Sequence, residues 1–171
     1  MTTTDKVNYK DVTNDWIKNR KNYKCVKDAV YFEHNGTKYY VDGKKVVLDY
    51  STKEKEVALW LVNTFGGEVI MVPRINNPQN IETPDYLWNN ARWDLKTLSE
   101  KAISKKRAID NIIKTAKNQT DNIILDITNT NLPKNNILKQ VKKIYKTTGR
   151  SWVDTIIVIK NYKLIKIFER I

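Results

Sequence analysis

Apolar side chains recur at positions 57, 58, 61, 62 and 65, a spacing that places them on one face of a helix with 3.6 residues per turn. Ser51 or Thr52 supplies an N-cap, acids fill the first turn and Gly66-Gly67 ends the run, so the pattern predicts a helix there. Apolar residues at 108, 109, 112, 113 and 116 predict a second amphipathic helix over 104–119, and 137, 138, 141, 144 and 145 a third over 134–146. Short apolar runs at 68–73, 122–127, 155–159 and 163–168 read as strands. Upstream, the pattern suggests a helix over 12–22. Three short strands follow at 24–33, 37–41 and 45–50, divided by Asn35-Gly36 and Asp42-Gly43. The element order from 53 onward is α-β-β-β-α-β-α-β-β, which predicts an α/β or α+β domain, a mixed sheet flanked by helices, over 51–171. Residues 1–50 read as an extension, a helix and a small β-meander.

The segment TPDYLWNNARWDLK, residues 83–96, departs from simple patterning. Its two apolar pieces flank Asn89-Asn90, and a tight turn there makes Asp85 and Asp94 cross-strand neighbours, both being equally distant from the midpoint of the turn. Alternation along the second strand puts Asp94 and Lys96 on one face and Trp93 and Leu95 on the other. Like charges placed across a strand pair repel, and a hard divalent cation between them resolves the conflict. Glu54 lies on the apolar stripe of the helix beginning near 52, and Glu56 is turned away by about 200° at ~100° per residue, so Glu54 is the preferred helical contributor. Two or three carboxylates with one lysine, and no His or Cys, suit phosphodiester hydrolysis.

Composition and charge narrow the partners. The chain has 171 residues and a net charge of +12, with 15 Lys and Arg against 13 Asp and Glu in residues 1–96 and 16 against 6 in 97–171. The basic second half predicts a polyanionic partner, since each cation that neutralises a phosphate releases counterions. Cys25 is the sole cysteine, which excludes an internal disulfide and a cysteine-built zinc site. Cys25 and the single histidine, His34, are expected to have no chemical role. No run approaches the ~20 apolar residues of a membrane span, and the start MTTTDKVNYKD lacks the apolar core of a signal peptide.

Taken together, Pro84-Asp85 and Asp94-Leu95-Lys96 resemble the signature of the PD-(D/E)XK nuclease superfamily, with Asp at the D/E position. The hairpin, the run KNQ at 117–119 and the strand NIILDI are similar to the C-terminal nuclease domains of contact-dependent growth inhibition toxins and of related phage and mobile-element proteins. The resemblance covers residues 51–171 and implies a restriction-endonuclease-like αβββαβ core. It also implies Asp85 and Asp94 as metal ligands, Glu54 as the helical acid completing the site, Lys96 as the catalytic lysine, and Gln119 as the glutamine near the active site. Mg²⁺ is the metal expected first, with Mn²⁺ or Zn²⁺ as alternatives. An RNase toxin acting on tRNA in the cytoplasm of a target bacterium is implied, delivered as the end of a larger secreted protein and neutralised by an immunity protein.

The expected nucleic-acid track comprises Lys101, Lys105, Lys106 and Arg107 beside the motif, with Lys139, Lys142, Lys143 and Lys146 on the third helix. These cations position the strand without specifying its sequence. Trp88, Trp93 and Trp152 are candidates for stacking on bases, with core packing favoured for Trp93, and Tyr31, Phe32, Tyr39 and Tyr40 read as the core of the N-terminal meander. Two other readings stand beside the RNase: a DNA endonuclease of restriction, repair or phage type, and a noncatalytic nucleic-acid-binding module in which Asp85 and Asp94 lie far apart.

Overall fold

The structure, a computed structural model, describes residues 7–100 and 106–171. In chain order the elements are β1 (Tyr9–Asp11), α1 (Thr13–Lys18), β2 (Lys24–Asp28), β3 (Tyr31–His34), β4 (Thr37–Tyr40), β5 (Val46–Val47), α2 (Thr52–Phe65), β6 (Gly67–Met71), β7 (Arg74–Ile75), β8 (Tyr86–Trp88), β9 (Ala91–Thr97), α3 (Ala108–Ile113), β10 (Asn122–Asp126), α4 (Lys134–Ile144), β11 (Thr155–Lys160) and β12 (Lys163–Arg170). Apart from the two-residue β7, the run from α2 to β10 follows the expected αβββαβ order, and the class is α+β with mixed sheets and helices. The chain divides into two compact units, residues 1–14, 96–117 and 121–171 in the first and 15–95 with 118–120 in the second.

The first unit holds the strands β1, β12, β11 and β10, antiparallel except for the parallel pair β10 and β11. Parallel neighbours need a crossover, and α4 supplies it. Ile123, Ile124, Leu125, Ile156, Ile157 and Val158 are all fully buried. Burial on both faces is why these runs are continuously apolar instead of alternating. Ile109 and Ile113 from α3 and Ile137, Val141 and Ile144 from α4 complete that core. Asp110 is buried on α3, where Arg150 Nε donates to its Oδ1 at 2.7 Å and Arg107 Nη2 to its Oδ2 at 2.7 Å.

The second unit holds β9, β8, β6 and β2, with β2 parallel to β6 and the others antiparallel. Val57, Ala58, Leu61, Val62 and Phe65 form the buried face of α2; each of these side chains except that of Ala58 contributes about 1.5–3 kcal/mol by leaving water. Phe65, Trp88 and Trp93 meet Trp16 with ring centroids 5.4–5.9 Å apart. Trp88 and Trp93 are 4% exposed, so they are core residues and do not offer stacking surfaces. Gly66 and Gly67 end α2 with φ of 75° and 93°. At Gly66 a Cβ would collide with the Lys21 carbonyl, and at Gly67 with the Asn89 side chain, so both positions need glycine.

Several local expectations change. The predicted helix over 104–119 is shorter: α3 spans Ala108–Ile113, a 3₁₀ turn at Lys114–Ala116 follows, and Asn118 takes a left-handed φ of 74°. The Thr115 hydroxyl donates to the Ile112 carbonyl at 2.6 Å, a side-chain bond that competes with helix continuation. The beginning of that predicted helix lies outside the described residues. Likewise, the strand expected over 24–33 is two strands: β2 joins β6, whereas β3 and β4 make a separate hairpin around Asn35-Gly36. Strand β1 pairs with β12, and the expected helix over 12–22 is the shorter α1.

Candidate active site

The hairpin β8–β9 turns through Asn89 and Asn90 at φ of 51° and 67°. Two left-handed residues in a row are what a two-residue hairpin loop demands, and asparagine tolerates that region well. The resulting register pairs Tyr86 with Trp93, Leu87 with Arg92 and Trp88 with Ala91. One step further along, the Asp85 N–H donates to the Trp93 carbonyl at 3.1 Å. Asp85 and Asp94 therefore face one another as the midpoint argument expects, and the Leu95 N–H donates to Asp85 Oδ2 at 2.7 Å. The noncatalytic reading, which needs these acids far apart, disagrees with this placement.

Asp94 is 3% exposed. Burial pushes the Asp85 carboxyl up to about 8, with the Asp94 charge, a hydrogen bond between the two carboxyls and the Glu54 charge adding to it, while the Leu95 N–H pulls the other way. Glu54 is raised as well, by burial first and then by the charges of Asp49 and Asp94, against the bonds it receives from Ser51. Both effects penalise the ionised form. Glu54 sits in the first turn of α2, where its N–H donates to the capping Ser51 Oγ at 3.1 Å and its carbonyl accepts from the Tyr86 hydroxyl at 2.7 Å. Glu56 is exposed, so the choice of Glu54 from the helical pattern agrees with its placement.

Glu54, Asp85 and Gln119 line one cavity of about 270 Å³, together with Asp49, Tyr50 and Arg74. Gln119 enters from the turn before β10, not from a helix end, and Thr120 anchors that turn by donating from Oγ1 to the Arg92 carbonyl at 2.6 Å. Its Oε1 is a buried acceptor without a hydrogen-bond donor. Asp49 and Arg74, which pair at 3.2 Å, carry no signal in the sequence: one precedes α2 and the other lies on the two-residue strand β7, where no element is predicted. Among the described residues no three acidic, histidine or cysteine side chains form a ready three-ligand centre, which leaves the facing pair Asp85 and Asp94 as the candidate donor set. That pair fits a hard cation such as Mg²⁺, which keeps several waters and binds through one or two carboxylates.

Lys96 is half-buried near the end of β9, two residues beyond Asp94, and the division between the units falls just before it. Of the expected track, Lys106, Arg107 and Lys143 line a cavity of about 250 Å³ in the first unit, and Lys139, Lys142 and Lys146 are exposed on α4 or just beyond it. Lys101 and Lys105 lie outside the described residues. The aromatic cluster on β3 and β4 is only partly a core: Phe32 is 3% exposed, whereas Tyr31 and Tyr40 are 39% and 57% exposed.

A family model described as the contact-dependent growth inhibition CdiA C-terminal domain matches residues 82–164. The match spans just under half of the chain, including Asp85, Asp94, Lys96 and Gln119 and leaving out Glu54. Among solved structures, a CdiA-CT/CdiI toxin and immunity complex from Burkholderia pseudomallei is 23% identical, the alignment covering 67% of this chain and 80% of that one with a TM-score of 0.48. No curated protein matches. Among the described residues no helix is long and apolar enough to cross a membrane.

Proposed function

We propose that this chain is a toxic effector domain of contact-dependent growth inhibition, acting as a metal-dependent endonuclease on tRNA in the cytoplasm of a target bacterium. The observation that carries this reading is the facing pair of Asp85 and the buried Asp94, with Asp85 opening on a polar cavity that Glu54 and Gln119 also line. An aspartate pair that repels itself is costly as decoration, and cation binding relieves that cost.

A bound divalent ion supplies polarisation of the phosphoryl oxygen and acidification of a water. Asp85 and Asp94 would hold it through their carboxylate oxygens. The Leu95 N–H keeps the Asp85 carboxylate oriented, and Glu54 accepts a proton from the attacking water at the cavity wall. Lys96 offsets negative charge growing on the phosphoryl oxygens. Gln119 orients the water or a phosphate oxygen through its amide. The cations of α4, with Lys106 and Arg107, hold the backbone of the strand. A net charge of +12 also complements an acidic surface on an immunity protein, and delivery is as the end of a larger secreted protein.

The test is incubation of the purified chain with total tRNA and, in parallel, with plasmid DNA, in Mg²⁺ and in EDTA, alongside Asp94→Asn. Cleavage of tRNA that requires both Mg²⁺ and Asp94 is the expected result. Cleavage surviving both treatments rejects the mechanism, and plasmid cleavage with intact tRNA transfers it to a DNA endonuclease.

A further inference from the structure

We propose that the second unit carries a pocket for an unpaired nucleobase, formed where the β3–β4 hairpin covers the sheet face that bears Asp94; this rests on the reading that the unit handles a nucleic-acid strand. Two neighbouring rows of residues on one face of the sheet make the case. In one row, Val72 donates its N–H to the Asp85 carbonyl at 3.1 Å, and Asp85 stands opposite Asp94. In the next, Ile70 pairs with Leu87 and Leu87 with Arg92. The rows are one dipeptide step apart, about 7 Å along the strands, a distance on the scale of one nucleotide.

The first row opens into the acidic cavity through Val72 and Asp85. The second lines a separate cavity of about 520 Å³ with Ile70, Leu87 and Arg92 below and Tyr31, Phe32 and Glu33 from β3. Its chemistry suits a flat heterocycle. Apolar side chains offer surfaces for the ring faces, while the Arg92 guanidinium brings donors for the base edge. The Arg92 guanidinium lies 5.1 Å from the Phe32 ring centroid, a planar cation already stacked in the geometry that adds to base binding.

The exposed side of the hairpin points to the same occupant. Tyr31 and Tyr40 are 39% and 57% exposed with ring centroids 5.4 Å apart, and Lys38 Nζ lies 4.8 Å over the Tyr31 ring. Aromatic faces combined with cations are the platform on which single-stranded nucleic acids stack. A neighbouring base seated here places its backbone along the row that leads to Asp94. The pocket therefore selects substrates with an unpaired nucleotide next to the cut, whether the strand is RNA or DNA.

The experiment follows 2-aminopurine fluorescence while the full chain is titrated, in EDTA, into short RNA and DNA strands carrying that base unpaired or sealed in a duplex. Quenching is expected with the unpaired base only. Tyr31→Ala and Arg92→Met are each expected to weaken binding about tenfold, in line with the worth of one base stack, and Tyr31→Phe to retain wild-type affinity. The RNA and DNA arms show which sugar is preferred. Equal quenching of paired and unpaired base, or unchanged affinity in both Tyr31→Ala and Arg92→Met, overturns the pocket. Because no cleavage occurs in EDTA, failure here with tRNA cleavage intact removes only the pocket, and base binding without cleavage in Mg²⁺ removes only the nuclease.

Discussion

Two buried aspartate sites, one in each unit, show opposite electrostatics. Asp110 in the first unit is clamped by Arg150 at 2.7 Å and Arg107 at 2.7 Å; burial alone would raise its carboxyl, but the two guanidinium groups hold it below the usual range. Asp85 in the second unit has another aspartate as its neighbour, and burial with that charge pushes it up to about 8. The first arrangement is complete without any ligand. The second sets like charges against each other, and a carboxyl perturbed by like charge points to function more strongly than one matched by guanidinium groups.

The two sites should differ most in catalysis. Asp94→Asn should lower Mg²⁺-dependent tRNA cleavage by about 10²–10³-fold, the scale of losing one main electrostatic contributor, in single-turnover assays, while Asp110→Asn leaves the chemical step unchanged in the folded fraction. Stability sorts the same residues in reverse. Asp110→Ala strands the Arg150 guanidinium and should cost about 3–5 kcal/mol in urea unfolding, whereas Asp85→Asn, which relieves repulsion, should cost far less.

A pH series sharpens the contrast further. Asp85 has a folded value raised above the ~3.9 of an unfolded aspartate, so the metal-free folded state binds the extra proton between about pH 4 and 8, and stability falls as pH rises through that window. Asp110 has a lowered folded value, so its contribution is present above about pH 4 and is lost as pH falls further. Thermal unfolding in EDTA should show the loss between pH 5 and 8 flatten in Asp85→Asn and persist in Asp110→Asn; equal slopes in both variants contradict the assignment. The smallest effect concerns the hydroxyl tying α2 to β8: Tyr86→Phe leaves the Glu54 carbonyl without its 2.7 Å donor and should cost about 1 kcal/mol, with a modest rise in the Mg²⁺ needed for half-maximal cleavage.

Much of the acidic site was legible because its rules are local. Asp85 and Asp94 meet through a turn length and a period of two, and Glu54 is chosen over Glu56 by the turn angle of one helix. Arg74, Asp49 and the pairing of β2 with β6 were not legible, since they depend on segments that are distant in sequence. Gln119 lines the cavity from a turn and not from the helix end that the spacing predicts, because the apolar spacing at 108–116 continues through a stretch where Thr115 and Asn118 divert the backbone. The tyrosines of β3 and β4 were assigned to a core on hydrophobicity alone. Alternation exposes Tyr31 while burying Phe32, and a pocket exists only once the hairpin has a sheet to cover.

By itself, the order of residues determined the α+β class, the apolar strands of the first unit, the face of α2 and the register that opposes two aspartates. Each of these follows from spacing over a few residues, where backbone geometry leaves few choices. Tertiary structure alone decided which distant strands pair, which polar side chains share the acidic cavity and which aromatics stay in water. Those outcomes depend on how separate apolar faces are covered, and no short window of sequence contains both sides of such a contact.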